Sequence, residues 1–298
     1  SYPMSTVNPY IPATPLDEAH LKNQRARVWP QVWFCVILVA AIIAFCWVQF
    51  GWLPTVIGCV AIALVGIVVL LGYGMAHSSP KEEIRACEET LPGHDIFSPE
   101  DIRITGGQSF DFDCAPEDFY PYLAQMNLTK AGFYSFQHLE RFFGFHICND
   151  YTIRPEWQSV KPGDWMYYHQ NGMGTGVVDV KPNEYILTYS DTRFKPTQDL
   201  AVAWRPKWMK GFAWTWNFIL QPTNNGEGTH FVSYLQAWWP ENTSKATIAR
   251  LALQWGVPSN FMMHRMAAKM GKLACKDAQL RRANKILEYQ SSQMDRAA

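Results

Sequence analysis

No Asp, Glu, Lys or Arg occurs between Arg27 and Lys81. A stretch of this length without charge excludes an ordinary solvated helix or loop, because such segments carry charged side chains on their outer face. It divides near Pro54 into two apolar runs, residues 31–50 and 53–73. Each run has about the 20 residues that a helix needs to cross a hydrocarbon core about 30 Å thick. The sequence therefore predicts a transmembrane helical hairpin.

An excess of charge of either sign is also absent, since 26 Lys and Arg are balanced by 26 Asp and Glu. This balance excludes the basic footprint of a nucleic-acid-binding protein. The seven cysteines have no C-x-x-C spacing, and the eight histidines form no H-E-x-x-H motif. A P-loop, a G-x-G-x-x-G motif and a G-x-S-x-G elbow are missing as well. We therefore predict no metal and no cofactor, and free thiols in a reducing compartment.

The charges that flank the two runs predict the orientation. Lys22 and Arg25 precede the first run, and Lys81 and Arg85 follow the second, whereas the turn between them is uncharged. Since positive residues stay on the cytoplasmic side, both termini and the soluble domain are predicted to be cytoplasmic. The predicted organisation is a flexible arm over 1–27, the hairpin over 28–76, a linker over 77–100, a soluble domain over 101–291 and a tail over 292–298.

The soluble domain is predicted to be α+β. Alternating apolar residues indicate a first strand near residues 102–112 with a break at Gly106-Gly107, and two short helices follow. Strand patterns then recur at short spacing, at 164–169, 176–181, 185–190, 212–221 and 229–239. A helix over 243–254 and a long amphipathic helix over 260–291 complete the chain. A curved antiparallel sheet around one long helix leaves a space that can hold a ligand.

Several stretches resemble the START-like superfamily, also called SRPBCC or Bet v 1-like, and its bacterial members grouped with polyketide cyclases and dehydratases. They are AGFYSF at 131–136 with Leu139-Glu140, IRPEWQ at 153–158 with KPGD at 161–164, WTW at 214–216 and NFMMHRM at 260–266. Together with the order of the predicted elements, the resemblance covers about residues 102–280. The family usually lacks a membrane hairpin, which is the departure in this chain.

The resemblance implies a helix-grip fold, in which a curved antiparallel sheet surrounds a long C-terminal helix, and a hydrophobic cavity. It does not imply a reaction, because members of this superfamily bind lipids, transfer them, cyclise polyketides or sense ligands.

Two pairs of polar residues are candidates for catalysis. His138 and Glu140 lie on a short predicted helix, although residues two apart do not share a helix face. Tyr167 and His169 alternate on one strand and share a face. If that face is internal, a phenol and an imidazole face the cavity, a set suited to enolising a carbonyl. The role considered for His138 and Glu140 is to orient a ligand oxygen or to act as a general acid or base.

Two further sets of residues are candidates for binding. The cavity wall is predicted to contain aromatic and apolar side chains, which are Trp214, Trp216, Phe218, Phe231, Leu235, Met262 and Met266. A segment rich in cations and indoles is predicted to contact the membrane surface, where Trp lies at headgroup level and basic residues meet anionic lipid. Its residues are Trp204, Arg205, Lys207 and Trp208.

The leading functional prediction is a membrane-tethered START-like domain that binds, transfers or senses a hydrophobic small molecule or lipid. One alternative is an enzyme of the cyclase or dehydratase type that acts on a polyketide or isoprenoid. Another is an accessory subunit of a membrane complex or a homo-oligomer, in which Gly58 and Gly66 pack against a partner helix. A cavity with convergent polar groups favours the enzyme, an apolar cavity favours the carrier, and a filled interior favours the scaffold.

Overall fold

The computed structural model describes residues 17–78 and 82–297. Two long helices come first, followed by an α+β domain that ends in a third long helix. The helices are α1 (Asp17–Phe50), α2 (Trp52–Ser78), α3 (Glu82–Cys87), α4 (Pro116–Ala124), α5 (Gln137–Phe142), α6 (Lys245–Leu251) and α7 (Val257–Ala297). The strands are β1 (Ile104–Phe112), β2 (Trp165–Tyr167), β3 (Gly174–Lys181), β4 (Tyr185–Asp191), β5 (Ala213–Thr215), β6 (Asn217–Thr223) and β7 (Gly228–Trp238).

Helices α1 and α2 contact each other and are joined at Gly51, whose φ of +83° suits glycine, but most of their large apolar side chains in the described residues are exposed. In the described residues one helical segment, Trp52–Val69, is long and apolar enough to cross a membrane. The apolar part of α1, Val36–Phe50, is shorter than a span requires. The prediction of two crossings is therefore supported for the second run only.

The boundaries of α1 correct the predicted N-terminal arm. Residues 1–16 of the arm lie outside the described residues, but α1 already begins at Asp17. The polar segment 17–27 is thus continuous with the apolar part of the same helix. At the other end of the chain, α7 extends to Ala297 through most of the predicted tail.

Seven antiparallel strands form one sheet in the order β1-β7-β5-β4-β3-β2, with β6 paired to both β4 and β7. Strand β1 runs unbroken through Gly106-Gly107, where a break was predicted. A Cβ at Gly107 would lie 2.6 Å from the Ser233 carbonyl oxygen, so these glycines allow close pairing instead of ending the strand. The predicted strand 212–221 is divided into β5 and β6 at Trp216.

The segment predicted as a linker is part of the domain. Helix α3 and the turns that follow it lie on the face of the sheet opposite α7, where Ile84 and Leu91 pack against Ile219 and Val232. The Glu88 carboxylate accepts hydrogen bonds from the hydroxyls of Tyr234 and Thr105 at 2.8 and 2.9 Å. Burial of these apolar side chains fixes the segment to the sheet.

Helix α7 packs across the other face of the sheet, which we call the inner face. Its buried stripe is Met263, Met266, Ala267, Met270, Ala274 and Ala278. The small residues let the helix approach closely, and a Cβ at Gly271 would lie 2.1 Å from the Phe112 ring. Of the two α7 residues predicted for the cavity wall, Met266 belongs to this stripe and Met262 is only partly buried.

This architecture is an α+β arrangement of an antiparallel sheet and a long C-terminal helix, consistent with a helix-grip fold.

Candidate ligand-binding cleft

The inner face is identified by contacts between the sheet and α7. The Gln108 side-chain amide donates to the Asn260 carbonyl at 3.3 Å, and the Phe110 ring lies 5.6 Å from the His264 ring. Because side chains alternate along a strand and opposite residues share a face, the strand register extends this face across the sheet. It carries Phe231, Ser233 and Leu235 on β7, Trp214 on β5 and Phe218 on β6.

One end of the inner face is filled, and we call it the closed end. Phe119 of α4 packs 5.0 Å from Phe231, and both rings are fully buried. Phe218, Met266 and Met270 complete the same apolar cluster. Of the predicted cavity-wall residues, Phe218, Phe231 and Met266 therefore lie in a packed core.

The other end, which we call the open end, is formed by Trp204, Trp214, Trp216 and Leu235. These four side chains are only partly buried. The Trp214 and Trp216 rings lie 6.2 Å apart, and the buried Tyr168 ring lies 5.6 Å from each of them. A continuous aromatic wall thus leaves the core and reaches the surface.

The polypeptide beside the open end changes helix type. A single π-helical turn, Ala252–Gly256, joins α6 to α7. Residues 252–254 and 258–259 are exposed, so this junction leaves much of its surface to solvent. Its Trp255 ring contacts the Trp204 ring with centroids 4.1 Å apart. Such π-helical turns occur frequently at functional sites.

The structure places Tyr168, and not Tyr167, on the inner face. Tyr167 pairs with Gly174 on the opposite face, and its hydroxyl reaches Gln198 at 3.4 Å. His169 follows the end of β2 and packs against the Phe145 ring at 5.0 Å. Side chains alternate along this strand as predicted, but the sequence does not show which of its two faces is the inner one. The predicted phenol and imidazole pair is therefore not directed into the interior.

Burial changes the acid–base properties of this region. It raises the pKa of the Tyr168 phenol and lowers the pKa of His169. The Tyr168 hydroxyl also lies 2.6 Å from the Thr175 hydroxyl. Near neutral pH, both groups are thus neutral hydrogen-bonding groups.

The predicted pair on α5 is divided between interior and surface. His138 is exposed, whereas Glu140 is 4% exposed, and its carboxylate oxygens have no hydrogen-bond partner of good geometry among the described residues. Burial raises the pKa of Glu140 to about 7, opposed by the nearby Ser135 hydroxyl and the Arg141 charge. At neutral pH, Glu140 can therefore give or take a proton.

The predicted membrane-contact segment borders the open end. Arg205, Lys207 and Lys210 are exposed, while Trp204 and Trp208 are partly buried. Trp208 stacks under the Arg250 guanidinium of α6 at 4.7 Å, and Met209 packs with α6 in a small apolar cluster. The segment therefore presents its cations outward and holds its indoles against the domain.

The cavities detected in the described residues lie elsewhere. One of about 20 Å³ is lined by Met126, Lys130 and Trp165 and is too small for an organic ligand. The other, of about 450 Å³, is an open surface groove beside the β3–β4 turn, lined by residues such as Tyr185 and Pro222. Neither of these two pockets lies between the sheet and α7, so neither supports the prediction of a large internal cavity, and the open end of the inner face is the candidate site.

No protein-family model and no curated protein matches this chain. Solved structures similar to it include a protein from Mesorhizobium loti, with 16% identity, 57% of this chain and 96% of that chain covered, and a TM-score of 0.27. The di-domain ARO/CYC StfQ from the steffimycin biosynthetic pathway shares 13% identity over 62% of this chain and 54% of that chain, with a TM-score of 0.29. The Aha1 dimer from Colwellia psychrerythraea shares 18% sequence identity over 57% of this chain and 98% of that chain, with a TM-score of 0.28. The helix-grip description therefore rests on the strand order and the C-terminal helix of this chain.

Sequence reasoning missed three residues near the open end, which are Tyr168, Ser190 and Trp255. Tyr168 lies on the strand face opposite the candidates Tyr167 and His169, and Ser190 is a small polar residue at the end of an apolar strand. Trp255 lies just beyond the predicted helix 243–254. The signal that could have identified Trp255 as a site residue is its position between the predicted helix 243–254 and the long C-terminal helix.

Proposed function

We propose that the chain is a membrane-attached domain that binds a hydrophobic small molecule or lipid taken from the bilayer. The observation that carries this proposal is the partly exposed aromatic wall of Trp204, Trp214, Trp216 and Leu235 at the open end. Apolar side chains with a few placed polar groups are the usual lining of a small-molecule site. Exposed in water, such a wall is costly, so a greasy ligand would stabilise it.

The position of helix α2 supports attachment to a membrane beside this site. Its segment Trp52–Val69 is almost wholly exposed, which in water would leave a large apolar surface uncovered. Helix α2 lies against α7, β1 and the π-helical turn. The cations Arg205, Lys207 and Lys210 are exposed on the loop beside that turn, where they could meet anionic headgroups.

Mass spectrometry of organic extracts tests the proposal. Full-length protein is purified in detergent and compared with two variants, Trp214→Ala and Phe194→Ala. Phe194 is 64% exposed and packs against Arg193, which stacks on Trp238 on the face opposite Trp214, so it serves as an aromatic control. We expect one defined hydrophobic compound to accompany the wild-type and Phe194→Ala proteins and to be reduced in Trp214→Ala. Equal bulk phospholipid in all three samples would contradict the proposal.

A second candidate function is a scaffold subunit, which the filled closed end favours. Gly58 and Gly66 of α2 are also available to a partner helix, because an added Cβ at either would meet no described atom within 4 Å. If this function holds, Gly58→Leu would abolish copurification of a membrane partner.

The enzyme alternative would now rest on Tyr168 and Glu140 and not on Tyr167 and His169, since only the first two are buried.

A further inference from the structure

Polar groups on the inner face near the open end are nearly all paired. The Thr188 hydroxyl donates to the Trp216 carbonyl at 2.6 Å. The Trp216 indole N–H donates to the Ser233 hydroxyl oxygen at 2.9 Å. The Tyr168 and Thr175 hydroxyls bond to each other. This is the normal state of polar atoms in an apolar wall, because an unpaired buried group is destabilising.

Two polar atoms of the same wall are exceptions. Ser190 Oγ and Trp214 Nε1 are both buried, and neither has a hydrogen-bond partner among the described residues. Ser190 is 2% exposed as a residue. Ser190 on β4 and Trp214 on β5 are direct partners in the antiparallel register. Directly opposite residues share a face with Cβ atoms about 4.5–5.5 Å apart, so the two side chains start from neighbouring positions on the inner face.

We propose that Ser190 Oγ and Trp214 Nε1 form a two-donor subsite for a neutral carbonyl oxygen of a hydrophobic ligand. An indole N–H can only donate, so the ligand atom must be an acceptor. A carbonyl oxygen has two lone pairs and can accept from both donors at once. A carboxylate suits the subsite poorly, because no charge on Ser190, Trp214 or the surrounding aromatic wall would compensate it.

The subsite rests on the proposed function and narrows it, since it selects ketones, quinones and esters over plain hydrocarbons. A hydrocarbon in the cleft would leave both donors unpaired, whereas a carbonyl compound of the same shape would satisfy them. Sites built to hydrogen-bond a ligand group discriminate against analogues that lack it for this reason.

A matched pair of probes tests the inference on the full chain in lipid nanodiscs. The probes are 2-acetylnaphthalene and 2-ethylnaphthalene, which differ mainly in the carbonyl group, and empty nanodiscs supply the blank. Calorimetric titration should show the ketone binding about fivefold or more tightly, the effect of a net gain of one or two hydrogen bonds. Ser190→Ala and Trp214→Phe should each bring the ratio of the two probes' dissociation constants toward one.

Trp238→Phe is the control, because it removes the same volume as Trp214→Phe from the opposite face of the sheet, where the Trp238 ring stacks with Arg193 at 4.1 Å. It should leave the preference for the ketone intact. Infrared spectra of the carbonyl-labelled ketone supply an independent readout, in which the bound C=O stretch lies at lower frequency in the wild type than in Ser190→Ala. Equal binding of both probes to the wild type overturns the subsite alone. Binding of neither probe beyond the nanodisc blank overturns the proposed function and the subsite together.

Discussion

The closed and open ends of the inner face are built from the same kinds of side chain but differ in what covers them. At the closed end, α4 and the stripe of α7 centred on Met266 and Met270 bury Phe218 and Phe231 completely. At the open end, the π-helical turn and the first turn of α7 leave Trp214 and Trp216 partly exposed. Aromatic residues alone therefore do not define a binding site, and the covering elements decide which of them are available.

The largest expected effect on the free energy of unfolding comes from truncating an aromatic side chain at each end of the inner face. Phe231→Ala should lower the free energy of unfolding by about 3–5 kcal/mol, because it removes a fully buried ring and leaves a cavity. Trp216→Ala should cost clearly less, since part of its surface is already in water. Denaturant titration of both variants checks the difference. Equal losses would mean that the open end is packed as firmly as the closed end.

Titration of Glu140 is expected to make stability depend on pH. Its carboxyl has a pKa raised to about 7 in the folded protein, against 4.5 for an ordinary glutamate. Between these values the folded state holds a proton that the unfolded chain has lost, so stability falls as pH rises through this window, by about 3 kcal/mol in all.

Glu140→Gln should remove this slope and stabilise the protein above pH 7. Thermal melts from pH 4.5 to 8 give the measurement, and Glu100→Gln at an exposed position is the control. An unchanged slope in Glu140→Gln would show that another group is responsible.

Close approach of α7 to the sheet predicts a smaller loss of stability when a methyl group is added at their contact. Gly271→Ala should destabilise the protein by about 1–3 kcal/mol, because the new methyl group overlaps the Phe112 ring. Combining it with Phe112→Leu should recover part of the loss, since the smaller side chain makes room. A double-mutant cycle measures this coupling. Simple additivity would contradict the contact.

Much of this fold could be predicted from the sequence because periodicity reports burial directly. The strands β3, β4 and β7 and the long helix α7 follow from alternation and helical spacing in residues 176–190, 229–239 and 260–291. The aromatic character of the wall follows from Trp214 and Trp216. The resemblance to START-like proteins led to the same arrangement.

What could not be predicted depends on tertiary contacts. Which face of β2 is inner depends on its pairing with β3, so the sequence alone could not choose between Tyr167 and Tyr168. Ala267, Ala274 and Ala278 carry no strong apolar signal, yet they line the contact of α7 with the sheet. The docking of 82–101 on the outer face depends on Ile84 and Leu91 finding an apolar patch that only the folded sheet presents.

The smallest expected effect concerns the cations beside the open end. Lys207→Gln and Lys210→Gln should each weaken binding of the protein's loop to anionic lipid by about fivefold, or about 1 kcal/mol per charge at the surface. Quenching of tryptophan fluorescence by brominated anionic lipid, measured in nanodiscs, reports this contact. Lys161→Gln, at an exposed position outside the loop, should have no effect. Equal quenching in every variant would show that the loop does not contact the membrane.

Photo-crosslinking tests the central claim most directly. The full chain is placed in nanodiscs with a trace of lipid that carries a diazirine in its acyl chain, and labelled peptides are mapped by mass spectrometry. Adducts on the hairpin are expected in any case. If the open end takes ligand from the bilayer, adducts will also occur at Trp204, Trp214, Trp216 or Trp255, and unlabelled hydrophobic competitor will reduce them. Adducts confined to residues 33–69, unchanged by competitor, would contradict the account.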